Sequence, residues 1–245
     1  MTAVIAQSGP VIPNFGGGGS SSCVRQNRTF CWDWFTAHWS SNLQPHLVEH
    51  IVLTAIAVSV GFLIAMAAAL LAYRRRWFEQ PFTIVTGILY TIPSLALFQI
   101  LVPITGLTRL TAEIALVSYT LLIIFRNVLT GLRGVPDDVR EAARGMGLTR
   151  NQTLWRVELP IAVPAIVAGI RIATVTVISL ATVAAIVGVN QGLGVPILDA
   201  IPTTFNTEFI AAAVLTIGLA LVADALLVAA QRLLTPWARG RAAYR

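Results

Sequence analysis

Five apolar stretches of bilayer length constrain this chain more than any other feature of its sequence. They run over residues 51–73, 82–102, 111–131, 160–187 and 209–231. A helix needs about 20 apolar residues to cross the hydrocarbon core, so we expect the over-long fourth stretch to tilt or to break before Gly188. Only 11% of the chain is charged, against about a quarter in soluble domains. The sequence therefore predicts an all-α integral membrane protein with about five transmembrane helices.

The arginines predict the orientation of these spans. Most of them follow the first, third or fifth stretch, which end on the same side of the bilayer if five spans alternate. Arginine-rich loops stay in the cytoplasm, so we expect a multi-pass membrane protein with its N-terminus outside and its C-terminus in the cytoplasm. On this basis residues 1–46 form an extracytoplasmic, partly flexible segment, 47–235 the transmembrane domain and 236–245 a basic cytoplasmic tail.

The composition excludes several functions. The chain contains no lysine, so it can supply neither the Lys of a Walker A loop nor a Lys Schiff base. Its net charge of +6 does not indicate nucleic-acid binding, because the arginines lie in short loops and form no continuous basic face. Asp137, Asp138 and Glu141 resemble the Mg²⁺ motif of a membrane prenyltransferase, but the other loops hold no second acidic cluster. We expect no catalytic residue, metal site or bound cofactor.

The loop over residues 134–160 is too polar to span and too patterned to be a simple linker. Asp138 begins a capping-box pattern, and Gly147 can end the first short helix. Thr149 can cap a second short helix, which ends before Leu159-Pro160 opens the fourth span. The loop is therefore predicted to form a cytoplasmic helix–turn–helix against the membrane.

The same loop resembles the signature of the permeases of type I ABC importers. That signature reads Glu-Ala-Ala, three residues, Gly, nine residues and Ile-x-Leu-Pro, and this chain keeps its spacing with Val157 in place of Ile. In that family the loop is the coupling helix, which docks on the ATPase subunit. The coupling residues implied here are Glu141, Ala142, Ala143, Gly145, Gly147, Leu159 and Pro160. Glu141 could instead only cap its own helix; we favour docking.

The resemblance also implies the fold and the partners. The fold is that of a type I ABC importer permease, with the helix–turn–helix as its coupling loop. Two permease subunits, as a homodimer or with a sister chain, form the pathway within the membrane lipid. Two ABC ATPase subunits hold ATP and Mg²⁺ below them, and an extracytoplasmic substrate-binding protein delivers the solute. This chain is then a transport subunit of the bacterial inner (plasma) membrane rather than an enzyme.

Further stretches resemble the glycine betaine, carnitine and choline permeases over about residues 47–232. They are residues 90–97, 126–127, 168–171 and 192–194. The chain departs from these permeases at Val189-Asn190-Gln191, where they tend to have small residues and Gly. The resemblance implies an importer of a small osmoprotectant such as glycine betaine, choline, carnitine or proline betaine. The alternative is a permease of the same superfamily for another small solute, such as an amino acid.

The candidate solute pathway combines the second span with the outer loop. Pro93 removes a helix hydrogen bond, and Thr91 and Ser94 beside it can satisfy the freed backbone groups. An ordinary packing kink explains Pro93 equally well. The candidate residues are Tyr90, Thr91, Pro93, Ser94, Asn190 and Gln191.

Charged side chains within the spans are informative, because a charge there costs several kcal/mol. Arg171 and Asp224 lie deep in the fourth and fifth spans and could pair. A structural ion pair explains them at least as well as a solute contact. Arg126 lies near the inner end of the third span, where an arginine can snorkel.

The N-terminal segment holds two cysteines and an aromatic group. Cys23 and Cys31 lie on the predicted oxidising side, where a disulfide and two free thiols are both compatible with the sequence. The aromatic residues are Trp32, Trp34, Phe35 and Trp39. They could form a cage for a quaternary ammonium, but we favour anchoring at the lipid interface.

Overall fold

The computed structural model describes residues 21–236, and every regular element in that range is helical. Residues 1–20 of the predicted N-terminal segment and 237–245 of the predicted basic tail lie outside the described residues. Four helical runs are long and apolar enough to cross a membrane, and a bent helix pair forms a fifth span. The predicted all-α membrane fold is confirmed. The helices are α1 (Ser22–Arg25), α2 (Trp32–His38), α3 (Gln44–Arg74), α4 (Arg76–Thr91), α5 (Ser94–Thr105), α6 (Arg109–Arg133), α7 (Asp137–Gly145), α8 (Arg150–Thr153), α9 (Leu159–Ala184), α10 (Gly194–Thr203) and α11 (Asn206–Leu234).

Helix α6 lies at the centre of the bundle and packs along both α3 and α9. Many of the side chains buried between these helices are alanines, among them Ala57, Ala65, Ala69, Ala112, Ala115, Ala173 and Ala181. At Gly61 of α3, an added Cβ would lie 1.8 Å from the Oγ1 of Thr120 on α6. Helices in lipid gain little from hydrophobic burial and associate through such close van der Waals contact. The small residues therefore decide which faces of the spans meet.

The second span is broken at Ile92-Pro93, where α4 and α5 meet at an angle of 98°. Ile92 has extended backbone angles, φ −62° and ψ 128°, as expected of a residue that precedes proline. Its carbonyl accepts a hydrogen bond from the hydroxyl of Tyr119 on α6. The structure therefore contains a full break at Pro93 rather than a packing kink.

The broken pair runs the whole length of α6. At one end Arg133 of α6 forms an ion pair with Glu79 near the start of α4. At the other end the hydroxyls of Thr105 on α5 and Thr111 on α6 lie 2.6 Å apart. The pair begins at one end of the bundle and finishes at the other, so it crosses as one span.

The fourth span differs from the prediction at its first residues. The sequence suggested a separate short helix after Thr149 that would end before Leu159-Pro160, but α8, a π-helical turn over Leu154–Glu158 and α9 form one continuous run. In that turn the N–H of Leu159 donates to the carbonyl of Leu154, five residues earlier. This wider turn carries the helix past the missing N–H of Pro160. The predicted break before Gly188 is confirmed, because the run ends there at a φ of +87°.

Candidate functional site

The first helix of the predicted coupling loop is α7. It begins at Asp137 with Pro136 as its N-cap, and no side chain caps it. The predicted cap at Asp138 is therefore wrong, because Pro136 is the N-cap and the helix starts two residues earlier than that pattern requires. Ala143 is buried at 1% exposure, whereas Glu141 and Ala142 are exposed. The helix thus packs through one alanine and presents the Glu-Ala pair outward.

A tight turn follows α7. The N–H of Gly147 donates to the carbonyl of Arg144, and Gly147 has a φ of +79°, a conformation that favours glycine. Gly145 lies inside α7, so Gly147 alone provides the turn. Beyond it, the predicted cap at Thr149 is confirmed by a complete capping box with Gln152. We call the exposed residues of this loop the coupling surface; they are Glu141, Ala142, Arg144, Gly145, Met146 and Gly147.

A polar network centred on the buried Glu158 joins the coupling surface to the spans. The guanidinium of Arg140 on α7 donates to Glu158 at 3.1 Å, to Asp137 at 2.7 Å and to the carbonyl of Leu132 at 2.9 Å. Tyr73, in the last turn of α3, donates its hydroxyl to the same oxygen of Glu158 at 2.9 Å. Sequence reasoning missed this network, because its members are far apart in the chain. It ties α7 rigidly to α3, α6 and α9.

An arginine-lined cavity of about 940 Å³ lies behind the coupling surface. It opens among the ends of α3 and α6, the start of α4 and the coupling loop. Within it Arg74 donates to the side chain of Asn151 at 2.8 Å. The lining arginines are Arg74, Arg76, Arg133, Arg140, Arg144 and Arg150. The structure thus gathers at one end of the bundle the arginines that the sequence assigned to one side of the membrane.

The break in the second span borders an open groove of about 730 Å³. Tyr90 and Thr91 line this groove, as the sequence suggested, and Pro93 and Ser94 lie at the adjoining bend. The hydroxyl of Thr91 donates to the carbonyl of Gly87 within α4, so Tyr119 rather than Thr91 binds the carbonyl of Ile92 at the break. The lining residues are Thr83, Ile84, Gly87, Ile88, Tyr90, Thr91, Ile92, Leu122 and Arg126. Arg126 is the charged member of this set, and the predicted pathway did not include it.

The other two candidate pathway residues, Asn190 and Gln191, do not line this groove. They belong to the loop between α9 and α10, where Asn190 is exposed and Gln191 is half-buried. The structure therefore does not bring the two predicted sets into one cavity.

His50 fixes the loop that carries Asn190 and Gln191. This fully buried side chain accepts the N–H of Leu193 at its Nδ1, 3.1 Å away, and its Nε2 lies 3.0 Å from the carbonyl of Ile178 on α9. A carbonyl only accepts hydrogen bonds, so the ring carries its proton on Nε2 and is neutral. Gly192, at a φ of +76°, lets the loop pass within contact distance of the ring. No local sequence pattern marked His50 as a functional residue.

Arg171 and Asp224 form the predicted pair. Two guanidinium nitrogens of Arg171 donate to the two carboxylate oxygens of Asp224, at 2.7 and 2.9 Å. The pair lies between α9 and α11 and is about one-third exposed at the surface of the chain. Each charge has its partner within the same chain, which favours a structural role.

The N-terminal segment forms a cap on the start of α11. In the structure a disulfide joins Cys23 to Cys31, which is one of the two alternatives that the sequence left open. The N–H of Cys31 donates to the hydroxyl of Thr207 at 3.0 Å. Trp34 is buried against Phe205, so it belongs to the core of the cap and not to a lipid-facing group. Its sequence neighbours Phe35 and Trp39 are only partly buried, and Trp32 is 66% exposed.

This helical architecture, with an exposed coupling surface and a broken span, is that of an ABC transport permease. Residues 51–240 match the family described as binding-protein-dependent transport system inner membrane component, and the chain belongs to that family. It is 38% identical over 193 residues to the osmoprotectant import permease protein OsmW of Salmonella typhimurium, covering 77% of this chain and 89% of that protein. It is 37% identical over 188 residues to the choline transport system permease protein OpuBB of Bacillus subtilis, covering 77% and 86%.

A further relative is the glycine betaine/carnitine/choline transport system permease protein OpuCB of Bacillus subtilis, 33% identical over 188 residues and covering 77% of this chain and 86% of that protein. Among solved structures, the MetNI methionine ABC transporter in an inward-facing conformation matches with a TM-score of 0.68 and 22% identity, over 82% of this chain and 97% of that chain. An amino acid ABC transporter matches with a TM-score of 0.66 and 18% identity, over 82% and 95%. The fold is shared with permeases of ABC importers.

Proposed function

We propose that this chain forms the solute pathway of an ATP-driven importer for a small osmoprotectant such as glycine betaine, choline, carnitine or proline betaine. The observation that carries the proposal is its identity of 38% with an osmoprotectant permease over most of both chains. Relatives named for choline and for glycine betaine, carnitine and choline support the same solute class. The methionine and amino acid transporters are more distant, at 22% and 18% identity.

The coupling surface is proposed to dock on a separate ATPase subunit. Glu141 offers a carboxylate to a basic group there, and the small side chain of Ala142 allows close approach. ATP and Mg²⁺ bind to that partner, and hydrolysis takes place on it. The ion pair of Arg140 with Glu158 supports this role, because it connects α7 to the spans through short charge-assisted hydrogen bonds. Movement of the ATPase can then be passed to α3, α6 and α9.

The pathway requires a second permease subunit, either another copy of this chain or a sister chain. The groove beside the break in the second span opens away from the bundle, as a wall shared with a second subunit would. An extracytoplasmic binding protein supplies the solute. Asn190 and Gln191, in the loop held by His50, lie at the end of α9 that such a protein would approach.

The coupling surface and the arginine-lined cavity are proposed to face the cytoplasm of a bacterial cell, in accordance with the arginine distribution. The N-terminal cap then lies outside, where the disulfide between Cys23 and Cys31 would persist. Labelling of a single introduced cysteine, Thr29→Cys, with a membrane-impermeant maleimide in intact cells tests this orientation. Labelling only after cell lysis would contradict it.

The decisive experiment is uptake of labelled glycine betaine into proteoliposomes. They hold this chain with the ATPase, the binding protein and any sister permease encoded beside it. We expect uptake that requires ATP and disappears when the binding protein is omitted. Robust ATP hydrolysis without uptake of betaine, choline or carnitine would leave the family assignment intact and contradict the solute class.

A further inference from the structure

Arg126 is a charged residue in the third span, and within residues 21–236 it has no carboxylate partner. In the part of the chain that the structure describes, no ion pair involves it, whereas Arg171 in the fourth span is paired with Asp224. Arg126 is exposed and lines the groove beside the broken span. An uncompensated charge within a span costs several kcal/mol and faces the bundle interior or a polar pathway in most membrane proteins. Its position therefore indicates that an anion is supplied from outside the chain.

Tyr90 lines the same groove, and its aromatic ring packs against a second ring. It is 43% exposed, and its ring meets that of Tyr119 edge-on, with 6.0 Å between the centroids. Tyr119 is itself 4% exposed and bonded through its hydroxyl to the carbonyl of Ile92. These contacts limit the rotation of the Tyr90 ring at the break. Most of the remaining wall is aliphatic, provided by Ile84, Ile88, Ile92 and Leu122.

We propose that this groove is a solute subsite for zwitterions that carry both a carboxylate and a quaternary ammonium. The inference rests on the proposed function and specifies the solute class within it. Arg126 takes the carboxylate, because its planar guanidinium matches the two oxygens and forms charge-assisted hydrogen bonds with both. The face of Tyr90 takes the quaternary ammonium. The aliphatic wall accommodates the methyl groups, which form no hydrogen bonds.

This arrangement predicts a preference among osmoprotectants. Glycine betaine and carnitine carry both groups, whereas choline carries the quaternary ammonium and a hydroxyl. With choline in the groove, Arg126 gains no partner and repels the like charge. Repulsion of the wrong solute contributes to specificity as much as attraction of the right one. The subsite therefore favours betaine and carnitine over choline.

The test compares uptake of labelled glycine betaine with uptake of labelled choline in proteoliposomes holding the complete importer. In Arg126→Gln we expect betaine uptake to fall on the order of tenfold, because one charge-assisted hydrogen-bonded contact is lost. Choline uptake should stay level or rise. Arg126→Lys keeps the charge without the planar fork and should lie in between. Tyr90→Phe should keep uptake of both solutes, and Tyr90→Leu should lower both.

Equal losses of betaine and choline uptake in Arg126→Gln would overturn the subsite. No change in either would also overturn it, since Arg126 would then only reach the lipid headgroups. If the wild-type importer takes up neither solute, the proposed function falls and the subsite with it. Stimulation of ATP hydrolysis by the binding protein shows that each variant is assembled.

A second variant keeps the test independent of the charge at Arg126. A Cβ added to Gly87 meets no atom within 4 Å, so Gly87→Leu can fold and places its side chain in the groove. We expect it to abolish uptake of both solutes. Gly218→Leu makes the same change in open space on α11 and should transport normally. Normal uptake by Gly87→Leu would show that solute does not pass the groove, which would contradict the proposal.

Discussion

Arg171 on α9 and Asp224 on α11 are joined by two hydrogen bonds of 2.7 and 2.9 Å, the paired geometry in which a guanidinium and a carboxylate bind most strongly. α11 is the last span of the described chain, and it contacts α9 more extensively than α3. The pair therefore fixes how the last span is placed against the bundle.

Exchanging the two charges tests this pairing. Arg171→Ala and Asp224→Ala should each lower the thermal unfolding temperature, because each leaves one charge unpaired between two spans. The double exchange, Arg171→Asp with Asp224→Arg, should recover much of that loss. Tm measured in detergent by intrinsic tryptophan fluorescence provides the comparison. A double exchange no more stable than the single variants would argue against a stabilising pair.

Gly147→Leu should uncouple ATP hydrolysis from transport while leaving insertion and abundance intact. A Cβ at this position meets no atom within 4 Å in the chain itself, but the φ of +79° disfavours a side chain, by roughly 1–2 kcal/mol. The turn of the coupling surface would change and disturb docking on the ATPase. The measurement is the ratio of solute taken up to ATP hydrolysed.

Gly147→Asn is the matched control for that prediction. Asparagine tolerates positive φ better than leucine, so it should retain more coupling. Normal transport by Gly147→Leu would mean that the turn at Gly147 is not needed for docking.

Glu158→Ala should be among the most destabilising single changes near the coupling loop. Glu158 is 6% exposed, and its removal leaves the guanidinium of Arg140 largely buried with only the exposed Asp137 as a charged partner. Removing one member of a buried ion pair costs about 3–5 kcal/mol. Tyr73→Phe deletes a single hydrogen bond to the same carboxylate and should cost about 1 kcal/mol. Thermal unfolding of the two variants side by side checks this order, and equal Tm values would contradict the network.

Replacement of both cysteines, Cys23→Ser with Cys31→Ser, should loosen the cap without unfolding the bundle. The disulfide closes a loop of eight residues, and opening a loop of this size raises the entropy of the unlinked segment by an amount equivalent to about 2.5 kcal/mol. Amide hydrogen exchange should quicken over residues 22–38 and stay unchanged in α6. Unchanged exchange in the cap would mean that contacts such as that of Cys31 with Thr207 suffice to hold it.

Much of the coupling loop could be predicted from the sequence, because its pattern is local. The cap at Thr149 acts on residues only three positions away, and the turn at Gly147 depends on its own backbone angles. The prediction of a cap at Asp138 failed although its spacing was suitable. Pro136, two residues upstream, fixes the backbone where the helix starts, and the helix begins two residues earlier than a cap at Asp138 would place it. The spacing alone could not decide between two starts so close together.

The residues that complete the candidate sites could not be predicted, because their contacts are with residues far away in the chain. Tyr73 and Glu158 are 85 positions apart, and His50 reaches Leu193 across 143 positions. A buried histidine or tyrosine in an apolar helix carries no local sign of its partner. Arg126 was recognised as a charge within a span, but its place beside Tyr90 depends on the bend at Pro93.

The sequence by itself determined the number and approximate positions of the spans, the family and the position of the coupling loop, because these follow from apolar length, charge placement and short-range spacing. Tertiary structure decided which small residues touch, where the second span turns by 98°, and which polar groups share a partner. These outcomes depend on contacts between residues distant in the chain, and such contacts form only when the helices pack against one another.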